Sequence, residues 1–390
     1  MSKNTLFPNK LTLLIRGKLW FVERPLVMGI LNVTPDSFYP GSRVGVSGVD
    51  FPLSEQGNVG AVSLVGPEGR VTANGLEGGV PATGPDEWNS LIGAEGRVTA
   101  NGLEGGLPAT GLGERNSLIG AEGRYTSTGP AGLPSVVERA RLMLADGADI
   151  LDIGGCSTRP GAPAVSEPEE MARVIPAVRA VRRAFPDALI SVDTWRGSVA
   201  ERAVGEGADL INDVSAGRLD AGMYPAVVRL KVPYVLMHSR GTPENMGQQA
   251  DYVDVVTTVV QELSERARPL LDAGFSDLIL DPGFGFAKTP EQGFRLLNNL
   301  DALVRMGFPV LVGLSRKSMI TRPLGVTVDS MDALWGTVVL NTLALERGAC
   351  VLRVHDVAPA VRAVRLWMAV HEGEISFNNN RLHPSYSGKV

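Results

Sequence analysis

Residues 278–297 read LILDPGFGFAKTPEQGFRLL. An apolar run ends in Asp281, a glycine-rich loop follows, and a helix-like stretch then continues to Gly307. A run this short and this continuously apolar suits a parallel strand buried on both faces. The loop has a superficial likeness to a phosphate-binding P-loop. That motif needs glycine before its lysine, and Ala287 stands there, so the Walker reading is rejected.

The same grammar recurs along the chain. Comparable runs occupy 27–33 (VMGILNV), 149–155 (DILDIGG), 188–194 (ALISVDT), 210–216 (LINDVSA), 234–239 (YVLMHS), 310–316 (VLVGLSR) and 351–357 (VLRVHDV), eight in all. Helix-like stretches alternate with them, at 135–149, 167–185, 196–207, 252–274, 290–307 and 331–348. The stretch 167–185 opens with acids and closes with arginines, as the helix dipole favours. Eight strand-then-helix units predict an α/β protein of the (β/α)8 TIM-barrel class, with a doubly wound open sheet as the alternative. Upstream, LTLLIRG and KLWFVER predict a β-hairpin capping the bottom of the barrel.

One region departs from this pattern. NSLIGAEGR occurs at 89–97 and 116–124, VSLVGPEGR at 62–70 is a diverged copy, and VTANGLEGG appears at 71–79 and 98–106. The period is 27 residues over about three units. With its flanks the segment spans 41–133 and holds 22 of the chain's 46 glycines but one tryptophan, one phenylalanine and one tyrosine. It therefore buries little surface against the entropy of ordering glycine, and a loose surface insert is the expectation, with a small β module as the alternative. The expected organisation is a single barrel over 1–373, interrupted by 41–133 and followed by a polar tail, 374–390.

Composition narrows the function. The formal net charge of −5 gives no default for nucleic acid, and two cysteines, Cys156 and Cys350, suggest no disulfide framework. The N-terminus reads as no signal peptide and no apolar run approaches a membrane span, so the expectation is a cytoplasmic protein with neither membrane nor nucleic-acid partners.

In a barrel of this class the active site lies at the C-terminal ends of the strands. Those ends carry Asn32, Asp193, Asn212, His238, Asp281, Ser315 with Lys317, and Arg353 with His355. Carboxylates and an amide offer the hydrogen-bonding complement of a flat heterocycle with a 2-amino and ring N–H edge. Lys317, Arg353 and His355 form a cationic side suited to phosphate or carboxylate.

Taken in order, GILNVTPDSF, LDIGG·STRPGA, SVDT, INDVSAG, MHSRGTPENM, ILDPGFGFAKT, GLSRKSMI and RVHDV closely resemble the dihydropteroate synthase family over about 1–43 and 130–373. The resemblance implies a homodimeric (β/α)8 barrel. Such an enzyme joins p-aminobenzoate to 6-hydroxymethyl-7,8-dihydropterin diphosphate, giving 7,8-dihydropteroate and pyrophosphate. It implies that Asp193, Asn212, Asp281 and Lys317 hold the pterin, and that Asn32, Arg353 and His355 hold the diphosphate. Asn32 would also lie near Mg2+. Thr158, Arg159, Pro160, Phe286, Ser315 and Lys317 would shape the p-aminobenzoate pocket, and Asp36 would approach the reacting carbon. Two other readings remain, a pterin-binding barrel of the methyltetrahydrofolate methyltransferase kind and a pseudoenzyme whose first loop the insert has taken over. STRPG and SRK favour the synthase, because they supply the p-aminobenzoate pocket.

Overall fold

A computed structural model describes residues 11–33, 63–66, 69–72, 133–156, 165–242 and 245–372. Eight strands form one parallel sheet: β3 (Leu26–Asn32), β6 (Ile150–Gly154), β7 (Leu189–Asp193), β8 (Leu210–Asp213), β9 (Tyr234–Met237), β10 (Leu278–Asp281), β11 (Leu311–Val312) and β12 (Val351–Val354). Their order around the sheet is β10-β9-β8-β7-β6-β3-β12-β11. The two ends meet through a parallel bridge between Leu280 and Val310, where the Leu280 N–H donates to the Pro309 carbonyl at 2.8 Å. The sheet is closed, which excludes the doubly wound alternative.

The strand alternation explains the continuous apolar runs. Ile150, Leu189, Leu210, Val235, Ile279, Leu311 and Val351 share one buried cluster with Leu26 and Met28, and this is the inside of the barrel. Their neighbours Leu151, Ile190, Ile211, Leu236, Leu280, Val312 and Leu352 belong to a second cluster with the surrounding helices. Each strand is thus wanted apolar on both faces, whatever its parity.

The hairpin is present as β1 (Thr12–Ile15) and β2 (Lys18–Phe21), joined by Arg16 and Gly17 at φ 52° and 72°. Two consecutive left-handed residues are the geometry of a type I′ turn, which matches the strand twist. Leu13 and Ile15 enter the interior cluster as its floor. Arg16 Nε bonds Asp209 Oδ1 at 2.7 Å, and the Leu14 N–H donates to Asp277 at 2.8 Å, just before β8 and β10. The hairpin therefore closes the N-terminal end of the barrel.

The helices are α1 (Leu133–Ala145), α2 (Glu167–Ala184), α3 (Gly197–Gly205), α4 (Met223–Leu230), α5 (Val255–Asp272), α6 (Pro290–Asn298), α7 (Asp301–Val304), α8 (Ser318–Leu324), α9 (Met331–Glu346) and α10 (Val357–Glu372). The single stretch expected over 290–307 divides into two helices, α6, opened by a Thr289–Gln292 capping box, and the short α7. The stretches named from sequence do not include α4, α8 or α10. The first two are only eight and seven residues long and contain Pro225 and Pro323, which hide a helical period.

By its contacts the chain divides into two units, Met1–Val44 with Thr126–Val390, and Gly45–Tyr125. Within the second, Ser63–Gly66 (β4) and Gly69–Thr72 (β5) pair as an antiparallel hairpin in the first repeat copy. The rest of 41–133 before Leu133, the tail 374–390, and Asp36, Thr158, Arg159 and Pro160 lie outside the described residues.

Candidate active site

Alternation sends every second strand residue inward, and at the upper end of the barrel those residues turn polar. Asp193 closes β7, Asn212 lies near the end of β8, Asp281 closes β10, Arg353 lies on β12 and Asn32 closes β3. Asp193, Asn212 and Asp281 are all buried. The sequence-predicted pterin residues therefore meet in one place. Gly154, which ends β6, makes room for them. A Cβ there would sit 3.2 Å from Asp193 Cβ and 3.4 Å from Asn32 Oδ1.

Arg353 stands between two carboxylates. Its Nε bonds Asp152 Oδ2 at 2.6 Å, and its terminal nitrogen bonds Asp193 Oδ2 at 2.6 Å. Asn212 donates its amide to the same Asp152 oxygen at 3.0 Å. Asp152 is not among the residues singled out from sequence, yet it is fully buried and bonds two of them, Arg353 and Asn212. Its other oxygen, Oδ1, is buried without a hydrogen-bond partner among the described residues. The signal was available: a carboxylate inside an apolar strand, two residues after the inward Ile150, must point into the barrel.

The electrostatics follow from burial. Burial lifts the Asp193 carboxyl to about 7, Arg353 pulls it down, and Asp152 adds to the rise. Burial opposes the charge of Arg353, but Asp152 and Asp193 more than offset this and hold the guanidinium protonated. Asp281 is raised by burial, with Lys317 and the Gly283 N–H acting against it. Its Oδ1 accepts from that N–H at 2.7 Å.

Lys317 precedes α8, half-buried, with its ammonium bonded to the Phe284 carbonyl and 4.7 Å from the centre of the Phe286 ring. Burial lowers it to about 8, Asp281 works against the fall, and Arg353 adds to it. Ser315 and His355 are paired, Oγ to Nδ1 at 3.0 Å, and the His355 N–H reaches the same hydroxyl at 3.3 Å. One residue along, Arg316 grips Asp356 with two bonds of 2.8 and 3.1 Å. Its terminal nitrogen also donates to the carbonyls of Val328 and Ser330. Arg316, at φ 56°, turns away from the site so that Ser315 and Lys317 on either side turn toward it.

His238 departs from expectation. Val235 and Met237 alternate around the inward parity of β9, so the next residue faces away from the barrel. Its ring bonds Glu262 at 3.1 Å and Lys288 at 2.8 Å, and it is no part of the polar mouth. Cys156, whose thiol burial pushes up to about 12, is inert at ordinary pH.

The pairing of three carboxylates with two cations leaves the mouth with a formal excess of one negative charge. That balance suits a heterocycle that is gripped at its N–H edge and develops positive charge as it reacts. No cluster of three metal-ligating His, Cys, Asp or Glu side chains occurs among the described residues. Asn32 offers one neutral oxygen, which fits a magnesium ion whose other ligands are substrate phosphate oxygens and water.

A profile described as pterin binding enzyme matches residues 127–355. The chain is 43% identical over 227 residues to dihydropteroate synthase of Synechocystis sp., covering 58% of this chain and 78% of that one. Against the enzyme of Haemophilus influenzae it is 43% identical over 229 residues, 58% and 82% of the two chains. Among solved structures, Xanthomonas albilineans dihydropteroate synthase with 4-aminobenzoic acid superposes with TM-score 0.65 at 32% identity, covering 93% of this chain and 98% of that one. The same organism's enzyme in complex with 7,8-dihydropteroate gives 0.62 at 31% identity, covering 92% and 98%.

Proposed function

The chain belongs to the pterin-binding enzyme family and is a dihydropteroate synthase, a transferase of folate synthesis, and from that premise we propose how its residues divide the work. The observation that carries the assignment is the buried quartet at the barrel mouth. Asp193, Asn212 and Asp281 present acceptors and one amide toward a common centre, with Asp152 locking Arg353 and Asn212 behind them. These groups hold the 2-amino and ring N–H edge of 6-hydroxymethyl-7,8-dihydropterin diphosphate. Lys317 lies against the pterin from the side of Phe284 and Phe286.

The carbon–oxygen bond to the diphosphate breaks early, because the dihydropterin delocalises the cation that results. The surplus negative charge of the mouth stabilises that cation. Asn32, Arg353 and His355 hold the departing diphosphate. Arg353 enters this role already paired, so its guanidinium is fixed in direction and needs no reorganisation when charge develops. Asn32 would hold Mg2+ with the diphosphate, and that ion, when bound, supplies Lewis-acid stabilisation to the leaving group.

The arylamine of p-aminobenzoate attacks the freed carbon and gives up one proton to solvent. It is neutral at pH 7 and needs positioning more than a general base. Phe286, Ser315 and Lys317 form one wall of its pocket. Thr158, Arg159 and Pro160 are assigned the facing loop, and Asp36 the approach to the reacting carbon.

A cytoplasmic homodimer fits this reading. Trp335, Val339 and Leu343 of α9 recur every four residues and are 58%, 56% and 47% exposed, and on α10 Leu366 and Val370 are 70% and 79% exposed. Such a stripe is what an isologous interface covers. No helix among the described residues is long and apolar enough to cross a membrane.

The test is pyrophosphate release by the full-length chain with Mg2+ and the pterin diphosphate. Release that requires p-aminobenzoate and yields dihydropteroate is expected. Binding of the pterin diphosphate without release would favour the pseudoenzyme instead.

A further inference from the structure

The motif GFGFAKT is not a P-loop, and the site as described uses only its phenylalanines and the Gly283 N–H. Its lysine is nonetheless among the most unusual groups in the chain. Lys288 is only 8% exposed, and among the described residues its ammonium bonds no carboxylate. It donates instead to His238 Nδ1 at 2.8 Å and to the carbonyls of Gly283 and Phe286, both at 3.1 Å. A buried cation of this kind persists only where its surroundings give it a complete set of acceptors.

Those acceptors belong to a relay across three elements. Because Nδ1 of His238 accepts from Lys288, its Nε2 carries the proton and donates to Glu262 of α5 at 3.1 Å. Burial and Lys288 lower the His238 ring to about 4, so it stays neutral. Glu262 also receives Arg240 Nε at 3.0 Å, and the Arg240 guanidinium lies 4.2 Å over the Tyr252 ring. The loops after β9 and β10 are pressed together at the joint. A Cβ on Gly283 would come within 1.9 Å of the His238 carbonyl oxygen.

The other side of the same loop faces the active site. Gly283, Gly285 and Ala287 are all left-handed, at φ 68°, 75° and 50°. This alternation turns the carbonyls of Gly283 and Phe286 toward Lys288 and that of Phe284 toward Lys317. A Cβ on Gly285 would sit 3.2 Å from Lys317 Cδ, so the backbone and the lysine stem are in contact.

We propose that Lys288 is a positioning residue, a buried cross-link that holds residues 283–287 in the shape that seats Lys317 on the Phe284 carbonyl and the Phe286 ring. The inference rests on the role given to Lys317 above and deepens it. Lys288 touches no substrate. It acts by fixing the loop from behind.

The experiment is Lys288→Met, read in two ways on folded protein. One is competitive labelling of lysines with trace acetic anhydride across the alkaline range, with the peptide carrying Lys317 quantified by mass spectrometry. The other is steady-state kinetics with each substrate varied. The expected result is that Lys317 titrates closer to an ordinary lysine and that KM for p-aminobenzoate rises about tenfold, as loss of a supporting partner does. A merely structural lysine would lower the folded fraction and move neither reading. Unchanged Lys317 labelling with an unchanged KM overturns the proposal. If Lys288→Met does not fold, Lys288→Gln replaces it. Its side chain is shorter and its two N–H donors cannot serve His238 and both carbonyls, so the same pair of readings decides. A Lys317→Ala control separates the two ideas. Retained turnover in that control sinks the role of Lys317 itself, whereas labelling still reports whether Lys288 sets its place.

Discussion

Arg353 and Asp152 are 201 residues apart in the chain and 2.6 Å apart in the barrel, Nε to Oδ2, with Asp152 wholly buried. The pair links β12 to β6 across the upper interior and leaves Asp193 as the second ligand of the guanidinium. Asp152→Asn keeps the shape and removes one charge. Arg353 is then drawn to Asp193 alone, and the negative surplus of the mouth is lost. We expect kcat/KM for the pterin diphosphate to fall about a hundredfold, with the far-ultraviolet circular dichroism unchanged. Steady-state kinetics on the purified variant checks this.

Lys317→Ala is expected to reduce turnover by on the order of a thousandfold while the protein remains folded. The wild-type pH profile carries the same message. The Lys317 ammonium is held down to about 8, so kcat/KM falls as pH rises through that value and the charge disappears. Its ordinary value is 10.5, so between these limits the folded state binds fewer protons than the unfolded chain. The lysine's contribution to stability therefore grows with pH in that window. Activity should be lost before the fold is, which parallel rate and melting measurements resolve.

The loop after Asp281 makes opposite demands at two positions. Gly283→Ala drives a Cβ into the His238 carbonyl and is expected to cost on the order of 3 kcal/mol. Ala287 already occupies a left-handed φ of 50°, which penalises any L side chain. Ala287→Gly relieves that strain and gives back part of it as unfolded-chain entropy, for a net gain of about 0.5 kcal/mol. Urea midpoints for the two variants should move in opposite directions.

Arg316 and Asp356 form a buried bidentate pair between the strand ends that carry Ser315 and His355. Asp356→Ala strands the guanidinium and should cost about 3 kcal/mol. Arg316→Met combined with Asp356→Leu should recover most of that stability, yet leave KM for p-aminobenzoate raised because Ser315 and Lys317 lose their fixed flank. Thermal melts and KM values together distinguish the two effects.

Replacing 41–133 by a short linker is expected to preserve turnover and to stabilise the barrel by about 2 kcal/mol, since closure entropy grows only with the logarithm of loop length. Loss of activity in the shortened chain would show that the repeat takes part in catalysis.

Much of the barrel is legible in the sequence because burial on both faces makes each strand a continuous apolar run ending in a polar residue. The same feature hides parity. An unbroken run such as YVLMHS does not display which residues point inward, and His238 falls on the outer side. Asp152 is hidden in the opposite way, inside a run rather than at its end. The partners of Arg353 were not legible either. They stand on β6 and β7, two and three places from β12 around a closed ring, an arrangement that no spacing along the chain expresses. Lys288 resembled a phosphate-binding lysine because its loop is rich in glycine. Those glycines serve left-handed turns that aim carbonyls, groups that repel an anion.

The hairpin floor of Leu13 and Ile15, pinned by Arg16 to Asp209, makes the barrel a blind well. Whatever enters must leave by the same mouth, and the guest that lies deepest must arrive first and depart last. The groups assigned to the pterin edge lie inside the strands, whereas those assigned to p-aminobenzoate, Phe286, Ser315 and Lys317, stand on loops above them. An arylamine that settled in the mouth before the pterin would cork its own reaction.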